Sequence, residues 1–148
     1  MLTTVEKVLF LQDVDIFEFT ASDDLARIAA VTEHVEVAPG TVLYREGEAA
    51  DAMYLVLEGR VRFTRDGREV LSAGPRDLFG TWALFDDEPR VVTAKAVEST
   101  RLLKLNEDDF IDLLDDYVDI TRSILKTLVK RLRRLMGRSR ERSGGIGD

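Results

Sequence analysis

The chain has 148 residues, 45% of them apolar and 33% charged, which fits one domain with a single sizeable core and excludes wholesale disorder. It contains no cysteine, so disulfides, thiolate nucleophiles and cysteine metal sites are excluded, and no apolar run approaches the ~18 residues that span a bilayer. Charge is unevenly spread: residues 1–120 hold 12 Lys and Arg against 26 Asp and Glu, and residues 121–148 hold 9 against 2, so the body is acidic and the C-terminal segment basic. An acidic body repels nucleic-acid phosphates. Met1–Lys7 shows no basic patch leading into an apolar stretch, and a cytoplasmic location is expected.

In chain order, Val5, Val8, Leu9 and Leu11 predict a short helix or capping arm. Ser22 followed by Asp23 and Asp24 reads as a helix N-cap with acids in the first turn. Leu25, Ile28, Ala29 and Thr32 continue it at helical spacing, to an end near Glu33. From His34 the period changes to short β-type runs: 34–37, 41–45, 53–57, 60–65, 69–72, 91–97 and 100–105, separated by Pro39-Gly40, Gly47, Gly59, Asp66-Gly67 and Gly74-Pro75. Seven or eight strands at this spacing predict a rolled antiparallel sheet. Asn106 then caps a helix carrying Phe110, Ile111, Leu113 and Leu114, and a final helix is predicted from about Asp119 to Met136.

The fold class is therefore α+β: an antiparallel β-roll or jelly-roll flanked by N-terminal helices and a long C-terminal helix. Residues 1–136 form one domain, with the roll at about 34–105 and the C-terminal helices at about 106–136; residues 137–148 are expected to be a disordered basic tail.

The segment that carries chemistry is 77–96. Gly80 permits a backbone conformation or close approach that other residues resist. Thr81–Phe85 is expected to form one helical turn, whose free N–H groups favour an anion. Arg90 follows a proline turn, and a guanidinium holds phosphate oxygens with a planar fork.

Phe79-Gly80, Ala83-Leu84, Pro89-Arg90 and Thr93-Ala94, together with the Pro39-Gly40 and Gly47 turns and the Met53–Gly59 strand, resemble the cyclic-nucleotide-binding domain family over roughly residues 8–136. The resemblance implies a regulatory, non-enzymatic sensor binding cyclic AMP, cyclic GMP or a related phosphate-bearing molecule, with no separate cofactor. It implies a site at Gly80, Thr81, Ala83, Leu84, Arg90 and Val91, with Arg90 as the phosphate ligand. The family carries a glutamate after the glycine, where it accepts from a ribose hydroxyl, and a small residue after the arginine; this chain has Thr81 and Val91, and Trp82 is larger than the usual aliphatic residue. Losing that carboxylate is expected to weaken ribose recognition by about 1.5–3 kcal/mol, roughly tenfold to hundredfold in affinity.

Other features read more plainly. His34 beside Glu33 and Glu36 does not make a metal site, and the acids 112, 115, 116 and 119 lack the spacing and glycine of a calcium loop. Val118, Thr121, Leu125, Leu128, Leu132 and Leu135 form a short heptad seam, and a homodimer through Thr121, Leu125, Leu128, Leu132 and Leu135 is expected. The basic residues around the seam read as a solvated flank, and no helix-turn-helix follows, so direct DNA binding is not expected. The output would pass to an effector protein or domain that the sequence does not identify. The alternative is a domain without ligand that serves as a dimerisation or protein-interaction module.

Overall fold

The computed structural model describes residues 2–81, 85 and 87–142, the last five by backbone alone. Helix α1 (Thr4–Leu11) opens with a capping box: the Thr3 hydroxyl accepts from the Glu6 amide, and the Glu6 carboxylate accepts from the Thr3 amide, both at 3.2 Å. A 3-10 turn, Asp15–Phe17, drives Ile16 and Phe17 into the core.

Helix α2 spans Ser22–Val31, so Ser22 is its first residue and Ala21 its cap, not Ser22 as the sequence suggested. It stops short of Glu33 because Glu33 already pairs with Lys104 in the sheet. Asp23 and Asp24 do occupy the first turn, where the helix dipole favours them, and Asp24 holds Arg27 at 2.8 Å.

Eight strands follow: β1 (Glu33–Val37), β2 (Val42–Tyr44), β3 (Ala52–Glu58), β4 (Val61–Arg65), β5 (Arg68–Ala73), β6 (Leu78–Phe79), β7 (Thr93–Ala96) and β8 (Thr100–Asn106). They form two antiparallel four-stranded sheets, in the orders β1-β8-β3-β6 and β2-β7-β4-β5. β6 is a two-residue element against Tyr54 and Leu55 that the strand pattern did not announce, and β7 starts at Thr93 rather than Val91. The β4–β5 hairpin turns on Asp66 and Gly67, both with positive φ, as a two-residue turn of this hand requires.

Strand alternation divides the core. Met53, Leu55, Leu103 and Leu105 face the helices and join Phe17, Ile28, Phe110, Ile120 and Ile124. Tyr54, Val56 and Leu102 face the other way and meet Tyr44, Val61, Phe63, Phe79 and Ala94 between the sheets. Burial on both faces is why β3 reads as an unbroken apolar run. Gly59, with φ +102°, is forced: a Cβ there would lie 2.5 Å from Thr100 Oγ1.

Helix α3 spans Glu107–Asp116 and helix α4 spans Val118–Arg142. The helix expected to end at Met136 instead runs through Gly137 to Arg142, the first six residues of the tail expected to be disordered. A single glycine between strong helix formers costs about 1 kcal/mol and does not stop propagation. Residues 143–148 lie outside the described residues. Among the described residues no helix is long and apolar enough to cross a membrane.

Candidate functional site

The β2–β3 turn and the segment after Pro89 are clamped together by backbone. The Gly47 amide donates to the Arg90 carbonyl and the Arg90 amide donates to the Glu48 carbonyl, both at 2.8 Å. Gly47 takes φ +82°, a conformation that suits glycine, in making this clamp. Arg90 is thereby aimed into the roll, and its side chain is 4% exposed.

Inside, Nη2 donates to the Ala52 carbonyl at 2.6 Å and Nη1 to the Gly80 carbonyl at 3.3 Å. The guanidinium carbon lies 3.9 Å from the centre of the Tyr44 ring. Asp51 places a carboxylate oxygen 3.9 Å from Nη2, but that side chain is 80% exposed. Arg90 Nε is buried without a hydrogen-bond partner, the only such side-chain atom among the described residues. A buried guanidinium with one N–H left unpaired favours an anion beside it.

The guanidinium borders a cavity of about 490 Å³, within the range of small-molecule sites. Its walls include Tyr44, Phe63, Phe79 and Gly80, and its mouth includes Arg65, Leu71 and Val91. Phe79 stacks on Tyr54 at 5.2 Å and meets Phe63 edge-on at 5.1 Å, which makes the inner wall aromatic and stiff. Burial pushes the Tyr44 phenol up to about 12, against the opposing charge of Arg90. Burial also pushes the Tyr54 phenol up, with Asp51 adding to it and Arg90 opposing.

The structure brings Gly80, Thr81, Arg90 and Val91 together around this cavity. Gly80 takes φ +78°, and a Cβ on it would lie 2.8 Å from Arg90 Nη1. Thr81 is half-buried on the cavity wall. Val91 is 66% exposed at the rim and does not fill the space. Ala83 and Leu84, also named from the sequence, lie outside the described residues, as does Trp82. Sequence reasoning missed Tyr44, Ala52 and the aromatic wall. No local signal marks them, because Tyr44 and Arg90 meet only through the fold.

Thr81 also borders a second cavity, of about 390 Å³, on the helix side. There Arg131 of α4 reaches Asp15 at 3.8 Å and Arg76 reaches Asp13 at 3.5 Å.

On α4, Ile120, Ile124 and Thr127 are buried against the chain's own body. Of the five residues expected at a dimer seam, Thr121 donates its hydroxyl to the Leu114 carbonyl at 2.9 Å and Leu128 packs on the core. Leu125, Leu132 and Leu135 are exposed, joined by Val129 and Met136. His34 Nε2 accepts from Arg101 Nε at 3.2 Å within a network that includes Glu36 and Glu58.

The family model for the cyclic nucleotide-binding domain matches residues 34–117. A CRP-like cAMP-activated global transcriptional regulator of Mycobacterium tuberculosis is 31% identical over 124 residues, covering 80% of this chain and 55% of that protein. A cAMP-dependent protein kinase regulatory subunit of Yarrowia lipolytica is 35% identical over 112 residues, 74% of this chain and 30% of that protein. Among solved structures, the N-terminal domain of a transcriptional regulator from Streptomyces coelicolor superposes with a TM-score of 0.79 at 31% identity, covering 85% of this chain and 94% of that one. The chain thus spans about half the length of the mycobacterial relative or less of the yeast one.

Proposed function

The chain belongs to the cyclic nucleotide-binding domain family, and on that premise we propose that it is a regulatory, non-enzymatic module that binds a cyclic nucleotide in the roll. The observation that supports this most is the orphaned Nε of a buried Arg90 beside an open cavity. Arg90 would hold the cyclic phosphate, Gly80 would give it room, and Thr81 would face the sugar. The aromatic and aliphatic walls would take the base.

The relatives named for cAMP support cyclic AMP as the first ligand to try, with cyclic GMP beside it. The open cavity weighs against a module without ligand. The output would travel through α4, which Arg131 ties to the 3-10 turn at Asp15. The exposed Leu125, Val129 and Leu132 on that helix suit a homodimer. The effector would lie in a partner or in a further domain.

Thermal unfolding with and without cyclic AMP or cyclic GMP tests the reading. A ligand that binds only the folded state at a hundred times its Kd adds about 2.7 kcal/mol of stability. No rise in Tm with either nucleotide, at concentrations up to millimolar, would reject it.

A further inference from the structure

The geometry points to Tyr44 as the positioning residue for Arg90, a role in ligand binding exerted through the face of its ring. The inference rests on the reading of this cavity as the ligand site. Arg90 has a flexible side chain, and its two carbonyl partners constrain only Nη1 and Nη2. The third contact on the guanidinium is the face of Tyr44, whose ring centre lies 3.9 Å from Cζ. Tyr44 is itself immobilised: it is 9% exposed, and its ring lies 6.2 Å from Tyr54 and 6.3 Å from Phe79.

The stack has two consequences. It supplies attraction to a buried cation, so the guanidinium stays inside when no ligand is present. It also fixes the plane of the guanidinium beside the cavity that Tyr44 and Arg90 both line. Any anion meeting Arg90 then finds its donors already oriented. The hydroxyl of Tyr44 has no part in this, so phenylalanine should serve as well.

The test combines Tyr44→Phe, Tyr44→Leu, Arg90→Lys and the Tyr44→Leu/Arg90→Lys double variant, titrated with cyclic AMP by calorimetry. The Arg90 Nε–H resonance is followed by NMR in the ligand-free proteins that retain the arginine. Tyr44→Phe should bind within about twofold of wild type, whereas Tyr44→Leu should lose about two- to thirtyfold. In the Arg90→Lys background, Tyr44→Leu should cost much less, because the planar cation it orients has gone. In wild type and Tyr44→Phe the Nε–H should exchange slowly and the guanidinium rotate slowly about Nε–Cζ, and both should quicken in Tyr44→Leu.

Equal affinity in wild type and Tyr44→Leu, or an additive cycle, overturns the positioning role. If wild type binds neither nucleotide, the ligand reading fails separately. The resonance then decides this inference alone: exchange and rotation unchanged in Tyr44→Leu reject it, and their quickening supports it.

Discussion

Gly80 and Arg90 are fitted to each other: a Cβ on Gly80 would stand 2.8 Å from Arg90 Nη1 and 3.2 Å from the Ala52 carbonyl that Arg90 also engages. The glycine further holds φ +78°, where an L side chain is strained. Gly80→Ala should therefore cost about 1–2 kcal/mol of stability and displace the guanidinium, lowering cyclic nucleotide affinity by at least about tenfold. Urea unfolding and calorimetry read the two effects, and an unchanged Kd would show that the fit is unrelated to binding.

Arg90→Leu should separate stability from function. Removing the buried cation takes the Arg90 donors from the Ala52 and Gly80 carbonyls, but it also removes a buried charge with an unpaired N–H. The two effects offset, so the ligand-free stability should stay within about 2 kcal/mol of wild type. Ligand-induced stabilisation should vanish. A variant that simply unfolds would mean that Arg90 is a structural residue first.

Thr81 is half-buried on the cavity wall at the position where the resembled family carries a glutamate. Thr81→Glu should raise the affinity for cyclic AMP by about tenfold to hundredfold through a charged acceptor for a ribose hydroxyl. The gain should be absent for a ligand without the 2′-hydroxyl. Equal gains with both ligands would place the new carboxylate elsewhere than on the sugar.

The Tyr44 phenol, pushed up to about 12 by burial, gives a signature at high pH. Its folded value lies above the ordinary value near 10, so folding favours the neutral phenol. That contribution, about 2–3 kcal/mol for a shift of this size, is present in full below pH ~10 and is lost as pH rises towards 12. Tyr44→Phe should flatten the fall in unfolding free energy across that window, leaving a remainder from Tyr54, which burial also raises. A pH profile identical to wild type would mean that the ring is solvated in solution.

Much of this architecture was legible in the chain. The Asp66-Gly67 hairpin, the alternation of Val61 and Phe63, and the unbroken run of β3 are local patterns, and each became the strand it predicts. β6 was not legible because two residues make no pattern; Leu78 and Phe79 become a strand only by pairing with Leu55 and Tyr54. The end of α4 was misplaced because a glycine beside a Ser- and Arg-rich stretch looks like a stop, while the helix propagates through it. The seam on α4 was drawn from spacing alone, which cannot tell the chain's own body from a partner; Ile120 and Ile124 take the inward face and leave Leu125 and Leu132 outside. At the site, the cassette around Gly80 and Arg90 was readable as a motif, but the Tyr44 ring beneath Arg90 is a product of tertiary structure.

The exposed stripe on α4 makes its own prediction. Leu125→Glu combined with Leu132→Glu places charges on solvent-facing positions, so the fold should survive, while any dimer should dissociate. Sedimentation should show a dimer for wild type and a monomer for the variant. A wild-type monomer at micromolar concentration would assign the stripe to another partner.

Titration of the wild type and Arg90→Leu with cyclic AMP and cyclic GMP by calorimetry bears on the whole account at once. Saturable one-to-one binding of at least one nucleotide by the wild type, abolished in the folded Arg90→Leu variant, is the predicted result. Heat of binding undiminished by the loss of the guanidinium, or no binding of either nucleotide by the wild type up to millimolar concentration, would contradict it.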